Sequence, residues 1–136
     1  MIIEEELRTA LVGMTAVTEI VGARVWDEWF RADTLPAVVF EFDNEDQENT
    51  LAGTGGLIFA NVNIICRAET RRESRLLSEA VRANNTTPGT GLAGYSGTFD
   101  AWLEDRQNAA TPKGDAGNTY WYDTNMSFVL SWPEAV

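Results

Sequence analysis

The chain has 136 residues, enough for one compact domain and too few for a second core. A formal net charge of −11 opposes any broad contact with nucleic acid or anionic membrane, and the absence of histidine removes Ser-His and Cys-His catalysis and the commonest zinc ligands. The single cysteine, Cys66, has no partner for an internal disulfide, and no apolar run approaches the ~20 residues that span a bilayer.

Met1 leads into Glu4, Glu5 and Glu6, which is not a secretory signal, so synthesis and assembly are expected in the cytoplasm. Ile3, Leu7, Leu11 and Met14 recur at helical spacing and predict an opening amphipathic helix, its glutamates near the positive end of the helix dipole. Gly13 and Gly22 bracket a second short helix around Ala16 to Val21, and Val25 to Phe30 reads as a short extended segment. Pro36 biases Leu35 toward extended backbone, and Ala37 to Phe42 continues as a strand. The polar run Asp43 to Thr50 and Gly53, Gly55 and Gly56 predict a long connection before a second strand, Leu57 to Cys66. In that strand Ile58, Ala60, Val62, Ile64 and Cys66 share one face, and Asn61 and Asn63 the other. Cys66 is therefore expected to be a buried, unreactive thiol.

Thr70-Arg71-Arg72-Glu73 fits a capping box and starts a helix whose buried stripe is predicted as Leu76, Leu77, Ala80 and Val81, with Arg71, Arg75 and Arg82 away from it. Asn84 to Gly94 is expected as a loop, followed by strands at Tyr95 to Arg106 and Tyr120 to Trp132, joined by a polar turn at Ala109 to Asn118. This order predicts one α+β domain over residues 1–136, a mainly antiparallel sheet with a long β-hairpin and helices packed on one face.

The motifs carry little chemistry. Gly89-Thr90-Gly91-Leu92-Ala93-Gly94 matches a dinucleotide fingerprint in letters only, because a helix precedes it and a strand follows. Asp43 to Glu48 lacks the alternation and sixth-position glycine of a calcium loop. Neighbouring carboxylates such as Asp27 with Glu28 or Glu104 with Asp105 would point to opposite faces of a strand. The five tryptophans come without a basic groove, which favours core packing and subunit contact over base stacking. No catalytic, cofactor or metal residue is assigned. Charge is uneven: Val25 to Cys66 holds eight acidic residues and one basic, whereas Arg67 to Arg82 holds five arginines and three glutamates. Asp43, Glu45, Asp46 and Glu48 therefore pair naturally with Arg71, Arg75 and Arg82 as candidate interface patches between copies.

The series of an opening helix, Leu35-Pro36-Ala37-Val38-Val39-Phe40, Thr50-Leu51-Ala52-Gly53-Thr54-Gly55-Gly56-Leu57, the strand Ala60 to Ala68, the helix ending near Val81, Tyr95-Ser96-Gly97-Thr98-Phe99 and the closing Tyr120 to Trp132 strand spans nearly the whole chain. It resembles the tail-terminator and tail-completion family of long-tailed bacteriophages and gene-transfer particles. The acidity of Asp43 to Glu48 and the polar stretch Ala109 to Asn118 depart from that pattern. The resemblance implies a non-enzymatic subunit of a hexameric ring in the virion. Such a ring caps the head-proximal end of the tail tube, stops its polymerisation and docks a head-completion (stopper) protein. Its partners would be other copies, the tail tube protein and that head-side protein, with DNA passing through the ring without specific binding and no membrane contact. Another head-tail connector, a tube subunit, or a small ligand-binding protein or carboxylate-dependent enzyme are the alternatives that the residues leave open.

Overall fold

The computed structural model describes residues 2–27, 35–47, 57–83, 91–112 and 120–133, with backbone alone for Asp46, Gln47 and Thr111. Helix α1, Ile3–Val12, buries Ile3, Leu7 and Leu11, and Met14 is buried where α2, Thr15–Val21, begins. Gly22 ends α2 at φ +60°, a conformation that a side chain would strain. The chain then enters strand β1, Val25–Asp27, which pairs in parallel with β2, Ala37–Gln47.

The predicted hairpin is present: β2 pairs antiparallel with β3, Leu57–Ala68, from Ala37↔Arg67 to Gln47↔Ile58. Strands β4, Asp100–Pro112, and β5, Tyr120–Pro133, form a second antiparallel pair, and β5 pairs along all of β3. The five-stranded sheet has the order β1-β2-β3-β5-β4, so β3 and β5 are central. Helix α3, Arg71–Arg82, starts as predicted, with the Glu73 amide donating to Thr70 Oγ1 at 3.1 Å.

The helices contribute to one core cluster with the inward residues of the sheet, among them Phe40, Val62, Ile64, Met126 and Phe128. Each such side chain removes apolar area worth about 1.5–3 kcal/mol from water. Cys66 lies in this cluster, completely buried; desolvation first, and the charge of Asp123 second, push its thiol well above the usual cysteine range. Among the described residues, no helix is long and apolar enough to cross a membrane.

Three features differ from expectation. The buried stripe of α3 is Ser74, Leu77, Ser78 and Val81, whereas Leu76 is 50% exposed. Small serines bring the helix close to the sheet: Ser74 Oγ lies 2.8 Å from both the Cys66 carbonyl and Thr124 Oγ1. Second, β2 continues through the acidic run to Gln47, because β3 supplies ladder partners that far. Third, Tyr95 to Phe99 turns rather than extends, with the Gly97 amide donating to the Phe99 carbonyl and the Tyr95 and Phe99 rings 4.8 Å apart. Strand β4 therefore begins at Asp100 and runs through the predicted turn residues Ala109 to Pro112, held by pairing up to Pro112↔Tyr120.

The glycine-rich segment is a loop where it is described. Leu92 is buried and donates its amide to the Val81 carbonyl, and a Cβ on Gly91 would fall 1.6 Å from the Ala83 oxygen. Gly89, Thr90 and Glu48 to Gly56 lie outside the described residues, as do Glu28 to Asp33, including Trp29.

Candidate interaction surface

Strand alternation gives the sheet a second face, turned away from the helices. Along β3 this face carries Phe59, Asn61, Asn63, Ile65 and Arg67; their partners on β5 are Ser131, Val129, Ser127, Asn125 and Asp123. At one end it is locked. Arg67 donates from Nε and Nη2 to the two Asp123 carboxylate oxygens at 2.8 and 3.0 Å, with Trp121 stacked 4.6 Å from the guanidinium. Both charges are buried, so the bidentate geometry offsets their desolvation.

In the middle the face is polar. Asn63 Nδ2 donates to the Asp43 carboxylate at 3.0 Å, Ser127 Oγ donates to Asn63 Oδ1 at 3.1 Å, and Asn61 donates to Asn44. Strands β2 and β4 each carry a bulge at this level, between Phe42 and Asn44 and between Leu103 and Asp105. Bulges bend and twist the strands that carry them. Between the two flanks lies a cleft of about 240 Å³, lined by Glu41, Asn63, Ile65, Asp105, Gln107, Asn125 and Ser127. Gln107 Nε2 is already donated to Asp105 at 2.9 Å, and Asn125 Oδ1 is buried without a hydrogen-bond partner among the described residues. The cleft therefore offers acceptors and negative charge.

Toward the other end the surface turns apolar, with Phe59 and Trp102 in edge-on contact at 6.4 Å and Trp102 41% exposed. Among the described residues, no group of three His, Cys, Asp or Glu side chains is placed to hold a metal ion.

The predicted interface residues are distributed unevenly. Asp43 is on the open face, and Glu45 is exposed farther along the same arm of β2. Asp46 pairs by backbone with Phe59, and Glu48 lies outside the described residues. Arg71 is held within the chain: it donates to the carbonyls of Asp123 and Ala109 and sits 5.0 Å from the Tyr122 ring. Arg75 reaches Asn108 at 3.4 Å, and Arg82 pairs with Glu79, which also pairs with Arg106. The hydrogen bond from Arg106 and then that from Arg82 hold the Glu79 carboxyl below the usual glutamate range.

These arginines thus flank α3 on its β4 side, and the exposed residues of the helix are Arg72, Glu73, Leu76 and Glu79. Sequence reading missed Arg72, Leu76 and the Asn125–Ser127 strip. The alternation of Asn61 and Asn63 was the visible signal for the polar face, while the outward Leu76 became identifiable only with the helix rotation.

A two-layer domain of this kind occurs in phage-like particles. A chain from the structure titled "Virion of native gene transfer agent (GTA) particle" aligns over 93% of this chain and 90% of its own, at a TM-score of 0.55 and 14% identity, a likeness of fold. The sequence matches the family Tail completion protein gp17 over residues 5–114. The chain belongs to that family and is a structural phage tail protein rather than an enzyme. No curated protein matches it.

Proposed function

We propose that this protein completes the tail as its terminator: copies close into a hexameric ring at the head-proximal end of the tube, stop tube polymerisation and present a docking surface to the head-completion protein. The observation that carries this reading is membership of the tail-completion family over residues 5–114. Assembly takes place in the host cytoplasm, and DNA traverses the finished ring. The net charge of −11 per chain supports passage without sticking, because an acidic lumen repels phosphates.

Ring closure requires a heterologous contact in which one patch meets a different patch on the next copy. The acidic stretch Asp43, Glu45, Asp46 and Glu48 and the arginine flank of Arg71, Arg75 and Arg82 are proposed as the patches that set its register. Arg71 contributes least, being bonded within its own chain.

Particles assembled without this protein test the function. Tails of irregular length that fail to join heads are expected, whereas tails of normal length joined to heads would refute termination. Copy number adds a second check: one ring per tail fits a terminator, many stacked rings a tube subunit.

A further inference from the structure

The open sheet face and the outward face of α3 lie on opposite sides of the same two-layer domain and are complementary in chemistry. The sheet face offers a cleft with the carboxylates Glu41 and Asp105 and with Asn125 Oδ1, unpartnered among the described residues, next to the exposed ring of Trp102. Among the described residues, the only cation on that face is Arg67, buried and paired with Asp123. The helix offers Leu76, half exposed, with the exposed Arg72 one turn before it and the exposed Glu73 beside that arginine, so Arg72 is the only cation among the exposed residues of α3. An acceptor-rich cleft selects a cationic donor, and a guanidinium supplies several N–H groups in a fixed plane.

We infer that α3 of one copy seats on the open sheet face of the next, with Arg72 entering the acceptor cleft and Leu76 packing on Trp102 and Phe59. The spacing allows both contacts at once. Residues 72 and 76 are about 6 Å apart along a helix, and Trp102 and Asp105 are separated by three residue steps, roughly 10 Å of strand before the bulge shortens it. The long arginine side chain spans the remainder. Because the two patches are different and lie on opposite sides, the contact is heterologous and propagates head to tail until rotation closes it. This inference rests on the ring reading and names the surfaces that would build it.

The test uses the full chain carrying Leu76→Cys and Trp102→Cys, incorporated into particles and treated with a short bifunctional maleimide. The native Cys66 is buried and does not compete. A ladder of cross-linked copies that is absent with either single cysteine is expected. Electron microscopy of unmodified particles separates the two claims. A closed ring of copies without a maleimide ladder overturns this interface and leaves the ring intact, whereas neither a ring nor a ladder overturns both.

A charge swap tests the cleft. Arg72→Glu is expected to raise the protein concentration needed for assembly by at least about tenfold, and Asp105→Arg in the same chain to restore much of it. An Arg72→Glu chain that melts like the wild type and assembles normally would also overturn the inference.

Discussion

On β3, Val62, Ile64 and Cys66 point into the helix-covered core, while their neighbours Asn61 and Asn63 point to the other side of the same sheet. On β5, Met126 and Phe128 are buried against the helices and Ser127 joins the polar face between them. One set of strands therefore builds two surfaces of different chemistry. The covered face carries the hydrophobic stabilisation of the fold. The open face combines amides, hydroxyls and carboxylates with an exposed tryptophan, a mixture suited to contact with another chain. Side-chain parity separates the helix-covered core from the polar strip, although Ala37, Val39, Ile65 and Val129 fall on the second face by register and are buried as well.

The largest difference is expected between neighbouring residues of β5. Phe128→Ala should lower unfolding free energy by about 3–5 kcal/mol, since it empties a buried site. Ser127→Ala, one residue earlier, should cost about 1 kcal/mol or less. Urea denaturation curves of unchanged slope measure both, and equal losses would break the division between the faces. Arg67 sharpens it, because it belongs to the open face by register yet is buried. Arg67→Ala removes the bidentate partner of the buried Asp123 carboxylate and should cost about 3 kcal/mol or more, whereas replacing both residues by apolar ones of similar size should recover much of the loss.

Smaller effects belong to α3. Thr70→Ala removes the acceptor of the Glu73 amide and should cost about 1 kcal/mol, seen as a lower thermal midpoint with native spectra retained. The smallest concerns acidity. Glu79 has its carboxyl held lower in the folded chain than in the unfolded one. Its stabilisation is present above the ordinary glutamate range and disappears as the pH falls through the depressed folded value. Glu79→Gln should therefore flatten the acid limb of the stability profile slightly and leave neutral pH nearly unchanged, as denaturation midpoints across pH would reveal.

Much of the fold was legible because long apolar periodicities admit few readings. Ile3, Leu7 and Leu11 fixed a helix face, and Val62, Ile64 and Cys66 a strand face. Boundaries were less legible where ladder pairing overrode local preference, as in the acidic end of β2 and at Ala109 to Pro112. The rotation of α3 was misread because Leu76 and Leu77 look alike in sequence; the hydrogen bonds of Ser74 to Cys66 and Thr124, made only after folding, decide which leucine faces inward. The charge asymmetry pointed to interface patches, but the bonds that tie Arg71 to β4 and β5 depend on contacts 38 and 52 residues away along the chain. No local pattern announces them.

The paired bulges also bear on how such a chain tolerates changes in length. Asp43 and Glu104 are the extra residues at the breaks between Phe42 and Asn44 and between Leu103 and Asp105. Inserting or deleting a residue in a regular strand would exchange core and surface for everything beyond it. Deleting either bulge residue would instead bring Asn44 opposite Asn61, or Asp105 opposite Ser127, in an unbroken ladder, and every later side chain would keep its side. Positions 43 and 104 are thus phase buffers, where a homologous chain one residue shorter could retain the same pattern of inward and outward residues on a flatter sheet.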